Sequence, residues 1–220
     1  MSKFQAIIFD MDGVIVESES HWRGVEAEFL ASLIPDWSSS DQQKILGMSV
    51  RDVHKLLHDS YCLDISFDEY LGHYNALADD IYGVKSQLLD GAGELIRKLN
   101  EAGVCLGLAS SSPHNWIEIV LERFGFRSMF KAVVSSDDIK GPSKPSPEIY
   151  LLAANRLNLQ PQSCVAIEDS PKGVASAVSA GMFCIGLHSD FEFSQNLDKC
   201  DLEVSGYKEL SNAIRELGII

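Results

Sequence analysis

Two carboxylates one residue apart, Asp10 and Asp12, follow the short run Phe4-Gln5-Ala6-Ile7-Ile8 and are followed at once by Gly13. The run is rich in β-formers and too short for a helix, so the pair is expected at the carboxyl end of a buried strand. Like charges repel there, and a buried carboxylate is costly unless something neutralises it. Asp12-Gly13 is either an ordinary exit from strand into turn, or the pair serves a divalent cation. Residues of matching chemistry recur downstream at the ends of other apolar runs: Ser110 with Ser111 and Ser112, Lys144 in Gly141-Pro142-Ser143-Lys144-Pro145, and Glu168-Asp169. Four carboxylates, a hydroxyl at a helix start and one lysine are the inventory of phosphoryl transfer. Hard oxygen ligands suit Mg²⁺. Ser110 and the free N–H groups after it can hold phosphate oxygens, Lys144 supplies a point charge, and a carboxylate can itself be the nucleophile.

The elements that must bring these residues together can be read from pattern. After Val14 the chain is helical from about Ser18 to Ser86, with apolar residues at helical spacing (Trp22, Val25, Phe29, Leu33; Val53, Leu56, Leu57; Tyr70, Tyr74, Leu77, Ile81) and breaks at Pro35-Asp36, Gly47 and Asp64. From Gly91 strands and helices alternate: helix 92–102, strand 104–109, a helix opened by Ser110-Ser111-Ser112-Pro113 and running to about Phe124, strand 132–134, helix 147–157, strand 164–167, helix 171–180, strand 183–187, a short strand 202–204 and a closing helix 208–217. Such alternation specifies an α/β fold, a Rossmann-like parallel sheet with helices on both faces. The first strand, cut off by the helical bundle inserted after it, is expected to return as a central strand. The expected division is a catalytic core of residues 1–16 and 87–220 and a helical cap of residues 17–86. Ligands of open α/β sheets bind outside the carboxyl ends of the strands, where the residues above would converge.

Composition narrows the partners. Of 220 residues 45% are apolar and 23% charged, as in ordinary globular chains. A net charge of −14 argues against a protein that grips nucleic acid, which needs a basic face, yet a small phosphate needs only local positive charge or a metal. Cys62, Cys105, Cys164, Cys184 and Cys200 are odd in number, have no metal-type spacing and fall partly in apolar runs. Buried free thiols in a reducing cytosol are expected. The start Met1-Ser2-Lys3 has no signal-peptide pattern, and no apolar run approaches the roughly 18 residues of a membrane span. A soluble, cytoplasmic chain without a membrane partner is expected, a monomer or weak homodimer.

Asp10-Met11-Asp12-Gly13-Val14, Ala109-Ser110-Ser111-Ser112, Lys144-Pro145-Ser146-Pro147-Glu148-Ile149-Tyr150 and Ile167-Glu168-Asp169-Ser170 resemble, in order, the four motifs of the haloacid dehalogenase superfamily. The resemblance covers essentially the whole chain and is closest to the branch with a helical cap after the first motif, which includes sugar-phosphate phosphatases and β-phosphoglucomutase. It implies a Mg²⁺-dependent phosphatase acting on a small phosphorylated metabolite, a sugar phosphate, through an aspartyl-phosphate. It makes Asp10 the nucleophile and a metal ligand. It makes Asp12 the general acid–base and a metal ligand through its carbonyl. Ser110 and Ser111 would hold the phosphoryl group and Lys144 neutralise it; Glu168 and Asp169 would complete the metal site. The Asp12 position speaks for an ester leaving group that must be protonated rather than for dehalogenation.

A helical lid suits a reaction that must first exclude and then admit water, with hinges near Val16–Ser18 and Ser86–Gly91. Glu17, His21, Trp22, Arg51 and His73 on the cap, and Ser112 and His114 on the core, are candidates to contact substrate. Each has a plainer role: Trp22 lies on an apolar stripe, and the histidines suit a solvated surface. Glu17 stands where family members commonly carry Asp. Trp22 replaces the histidine, Val50 the arginine and Pro113 the lysine of β-phosphoglucomutase. A mutase must grip a second phosphate, so the phosphatase is the reading favoured over the phosphomutase. An inactive binding or regulatory module on the same fold is the third alternative, against which all four motifs are intact.

Overall fold

The computed structural model describes residues 3–45, 48–189 and 196–220. In chain order its elements are β1 (Ala6–Phe9), β2 (Val16–Glu17), α1 (Glu19–Leu33), α2 (Ser39–Ile45), α3 (Val50–Tyr61), α4 (Phe67–Asp80), a π-helical turn at Ile81–Lys85 and β3 (Gln87–Leu88). Then follow α5 (Ala92–Glu101), β4 (Cys105–Ser110), α6 (His114–Arg123), β5 (Phe130–Ser135), α7 (Glu148–Arg156), β6 (Cys164–Glu168), α8 (Pro171–Ser179), β7 (Phe183–His188), β8 (Leu202–Ser205) and α9 (Gly206–Glu216). Six strands form one parallel sheet in the order β5-β4-β1-β6-β7-β8.

β1 is central, as the sequence pattern predicts, because its apolar run can be buried on both faces. Ile7 and Phe9 pack with α5, α6 and α9 through residues such as Leu95, Ile117 and Leu210. Ala6 and Ile8 point the other way, to Ile149 and Ala153 of α7 and Val174 and Ala177 of α8. Phe9 is level with Leu108 of β4 and Ile167 of β6, and the Asp10 N–H donates to the Ile167 carbonyl (3.0 Å). This register sets Asp10 between the strand exits that carry Ser110 and Glu168.

The helices α1–α4 fill the segment predicted to be helical, and the turns at Pro35-Asp36 and Asp64 fall between them. The break predicted at Gly47, like Met1-Ser2, lies outside the described residues. Ser49 and Ser66 cap α3 and α4 by accepting from the N–H groups of Asp52 and Glu69 (3.2 Å each). Buried Leu30, Val53, Leu57, Tyr70, Tyr74 and Ala78 knit these helices together. Two features escape the sequence pattern. β2 and β3 pair antiparallel where the chain leaves and re-enters the sheet domain, and strands of two residues are too short to show alternation. The π-helical turn before β3 leaves carbonyls that Arg123 of α6 collects: its guanidinium donates to Tyr82 O (2.7 Å), Ser86 O (2.8 Å) and Val84 O (2.9 Å).

All five cysteines are free; Cys164 and Cys184 are buried, whereas Cys62 is exposed. Among the described residues no helix is long and apolar enough to cross a membrane. Ile8, fully buried at the sheet's centre, is the simplest test of the packing: Ile8→Ala is expected to lower the unfolding free energy by about 3 kcal/mol in urea titrations. A loss below about 1 kcal/mol would contradict this two-faced burial.

Candidate active site

Lys144 lies at the centre of the strand ends. Its ammonium is buried and donates to Asp10 Oδ1 (2.6 Å), Glu168 Oε1 (2.6 Å) and the Ala109 carbonyl (3.0 Å). Burial pulls a lysine toward its neutral form, but the Asp10 and Glu168 carboxylates more than reverse this and hold Lys144 protonated. Glu168, fully buried, also accepts from the Tyr150 hydroxyl (2.6 Å) and from Ser170 Oγ (3.3 Å). Asp10, Glu168 and Asp169 turn carboxylate oxygens to one point, all within 4.8 Å of one another. One ammonium does not balance three carboxylates. Burial pushes the Asp10 carboxyl up to about 8, opposed by Lys144 and reinforced by Glu168 and Asp12. Burial, then the charges of Asp10, Glu168 and Glu19, drives Asp169 well above the carboxylate range. A cluster of hard oxygens carrying excess negative charge fits a divalent cation.

Two glycines let the acids approach. Gly13 has φ +77°, and a Cβ there would fall 1.9 Å from Asp169 Oδ2. Gly173, in the first turn of α8, lies so close to Glu168 that a Cβ would sit 2.0 Å from its carboxyl carbon.

Asp12 has a different environment from Asp10. Its Oδ1 accepts from Ser18 Oγ (2.5 Å) and the Tyr82 hydroxyl (2.7 Å), its Oδ2 from Ser112 Oγ (2.9 Å). Three neutral hydroxyls hold it, two of them from chain on the insertion side of β2. The Tyr82 hydroxyl in turn accepts from Trp22 Nε1 (3.0 Å), and burial with the Asp12 charge keeps that phenol protonated. The Asp12 carboxylate is not among the oxygens of the acidic cluster; the ligand role expected of this residue is through its backbone carbonyl. Ser110 is buried at the end of β4, its Oγ accepting from the Ser112 N–H (3.0 Å), and Ser111 lines the cavity beside it.

One cavity of about 150 Å³ joins these residues to the helical insertion. Trp22 lines it, together with Tyr82 and Trp116. The other insertion candidates lie elsewhere. Glu17 accepts from Ser20 N and Oγ (2.9 Å each) and pairs with His21 at 3.7 Å, so both secure the start of α1. Arg51 is exposed over the Phe67 ring (4.8 Å), and exposed His73 packs on Phe29 (5.2 Å). On the core, Ser112 reaches Asp12, whereas His114 bonds Asp138 (2.9 Å). From the insertion's described residues, Arg23 lines the cavity, with Glu19 and Glu26. Sequence reasoning did not single these residues out. Their signal was spacing: Glu19, Trp22, Arg23 and Glu26 recur at three, four and seven residues, one face of α1. Tyr82 carried no such signal, since the π-helical turn sets its direction.

The family pattern described as haloacid dehalogenase-like hydrolase matches residues 7–187. The chain is similar to hexitol phosphatase B of Escherichia coli (strain K12), 35% identical over 179 residues and 80% of either chain. It is similar to validoxylamine A 7'-phosphate phosphatase of Streptomyces hygroscopicus subsp. limoneus, 29% identical over 187 residues, 84% of this chain and 85% of that one. Among solved structures, β-phosphoglucomutase from Clostridium difficile matches with a TM-score of 0.80 at 27% identity, over 97% of this chain and 96% of that one.

The glycine contacts make a direct test of the carboxylate positions. Gly173→Ala must push Glu168 and with it Lys144, and a displacement near 1 Å at a reacting centre costs about 100-fold. Turnover is expected to fall by that order while far-UV circular dichroism stays unchanged. Wild-type turnover in this variant would mean that Glu168 has freedom the structure denies it.

Proposed function

Since the chain belongs to the haloacid dehalogenase-like hydrolases and is a phosphoric monoester hydrolase, we propose that it hydrolyses a small sugar or polyol phosphate through an aspartyl-phosphate on Asp10, with Mg²⁺ as cofactor. The observation that carries this reading is the contrast between the two aspartates: Asp10 against an ammonium and acidic cluster, Asp12 among neutral hydroxyls. An attacking carboxylate must be ionised, which for the burial-raised Asp10 a cation bound beside it would ensure, whereas an acid–base must change its proton.

Asp10, Glu168 and Asp169 would hold Mg²⁺, with the Asp12 carbonyl, and the bound ion would offset charge on the phosphoryl oxygens. Asp10 Oδ attacks phosphorus as the bond to the leaving oxygen breaks, and Asp12 delivers a proton to that oxygen, releasing a neutral alcohol. Asp12 is then a carboxylate and takes a proton from a water that attacks the same phosphorus; phosphate leaves and Asp10 is regenerated. Ser110 Oγ and the Ser111 N–H orient the phosphoryl group, and Lys144 stabilises the charge that grows on it. Tyr82 and Ser18 lie on the insertion side, so Asp12 is fully held only with the helices closed over the site. On this reading residues 17–86 are a cap over a core of residues 1–16 and 87–220. The cavity is smaller than the roughly 300 Å³ at which ligand pockets usually begin, so the cap opens to admit substrate.

The sugar or polyol assignment draws on the hexitol and validoxylamine phosphates named for the relatives. A phosphomutase is a second reading, favoured by the likeness to β-phosphoglucomutase. It is weakened by Trp22, Val50 and Pro113 at its basic positions and by Arg51 lying outside the cavity. One assay separates them. With Mg²⁺, wild type is expected to release phosphate from hexose and hexitol monophosphates, and Asp10→Asn to lose all measurable release while its thermal melt persists. Release within about tenfold of wild type in Asp10→Asn would contradict the nucleophile assignment. Interconversion of glucose 1- and 6-phosphates without free phosphate would establish the mutase instead.

A further inference from the structure

The cavity that reaches Asp10, Lys144 and Asp169 continues beneath the insertion to Glu26, Arg23 and Tyr74. Nothing in the phosphoryl chemistry uses that far end. Glu26 of α1 is held there by neutral donors alone among its hydrogen bonds: Tyr74 OH to Oε1 (2.9 Å) and Gln42 Nε2 to Oε2 (2.6 Å). The Tyr70 hydroxyl backs Tyr74 (3.0 Å), so a relay of phenols ends on this carboxylate. A carboxylate has about four acceptor sites, and these bonds occupy two. The nearby guanidinium of Arg23 donates to Glu19 (3.2 Å). Two carboxylates against one guanidinium give this wall a negative balance.

Beside Glu26 stands an aromatic shelf. Trp22 packs against both Trp116 (centroids 5.0 Å) and Tyr74 (5.7 Å), which also lie 6.3 Å from each other. Both indole N–H groups are turned to protein, Trp22 to the Tyr82 hydroxyl (3.0 Å) and Trp116 to Asn75 Oδ1 (2.7 Å). The shelf therefore offers carbon surface, and the carboxylate beside it offers acceptors. Stacked carbon surface with acceptors at its edge suits a molecule with C–H faces and hydroxyl edges.

We propose that Glu26 is a specificity-determining residue: it accepts hydrogen bonds from hydroxyls of an uncharged, polyhydroxylated leaving group and repels substrates that carry a second phosphate or a carboxylate at that end. This rests on the phosphatase reading and narrows it to monophosphates. Like charges facing each other in a partly desolvated cavity interact strongly enough to set such a preference.

The test compares kcat/KM for fructose 6-phosphate and fructose 1,6-bisphosphate in wild type, Glu26→Gln and Glu26→Asp, with acetyl phosphate as a substrate that has no distal hydroxyls. Wild type is expected to prefer the monophosphate by at least about tenfold, Glu26→Gln to cut that preference to within about threefold, mainly through KM, and Glu26→Asp to keep most of it. Equal use of both sugars by wild type, or an unchanged ratio in Glu26→Gln, would overturn the proposal. Should Glu26→Gln fail to fold, the wild-type preference itself decides. It is expected to shrink as ionic strength rises, and a salt-independent ratio contradicts an electrostatic origin. Phosphate released from acetyl phosphate without discrimination between the sugars overturns this inference alone. No release from any of the three overturns the phosphatase reading with it.

Discussion

The bond pattern of one ammonium organises this molecule. Lys144 spans the carboxyl ends of three adjacent strands, holding Asp10 after β1, Glu168 at the end of β6 and the Ala109 carbonyl of β4. Charges buried in this way are tolerated only when paired and hydrogen-bonded, and removing one partner strands the others. The sheet order makes the pairing possible, because β1 lies between β4 and β6. The pairing in turn leaves a deficit of positive charge at Asp10, Glu168 and Asp169. That deficit is the feature on which a cation and a phosphate would act.

The rest of the site divides its labour by dielectric environment. Asp10 and Asp12 are separated by Met11 alone, yet strand geometry and the turn at Gly13 send them to different partners. Asp12 is held from the insertion side by Ser18 and Tyr82, and Tyr82 is held through the π-helical turn that Arg123 secures. On the proposed mechanism, closure of the helices and readiness of Asp12 as acid–base would be the same event. A second tie joins the two parts: Ser143, next to Lys144, donates to Asp52 of α3, which also faces Lys172 of α8. The helices thereby touch the loop that carries the central ammonium.

Much of this was legible in sequence. A run of β-formers ending in Asp10, alternation after Gly91 and the helical texture of residues 18–86 suffice for the sheet, its central strand and the insertion. The acidic cluster and Lys144 follow because strand ends in such sheets converge. The remainder depends on directions that spacing does not set. Arg51 looked like the insertion's available cation, yet α3 turns it outward onto Phe67, while Arg23 of α1 faces the cavity. Glu17 was read as a substrate contact and instead caps α1, because its carboxylate reaches the Ser20 N–H first. Tyr82 reaches Asp12 only because a π-helical turn redirects the chain, and no periodicity announces that.

On the proposed reading, the buried carboxylates at the strand ends exceed the cations that the described residues place beside them and suit a divalent ion. Titration calorimetry of Mg²⁺ into the protein, wild type against Asp169→Asn, measures this most directly. One Mg²⁺ bound per wild-type chain, with binding weakened at least about tenfold in Asp169→Asn, is the predicted result. No binding to wild type, or equal binding to both, would contradict it.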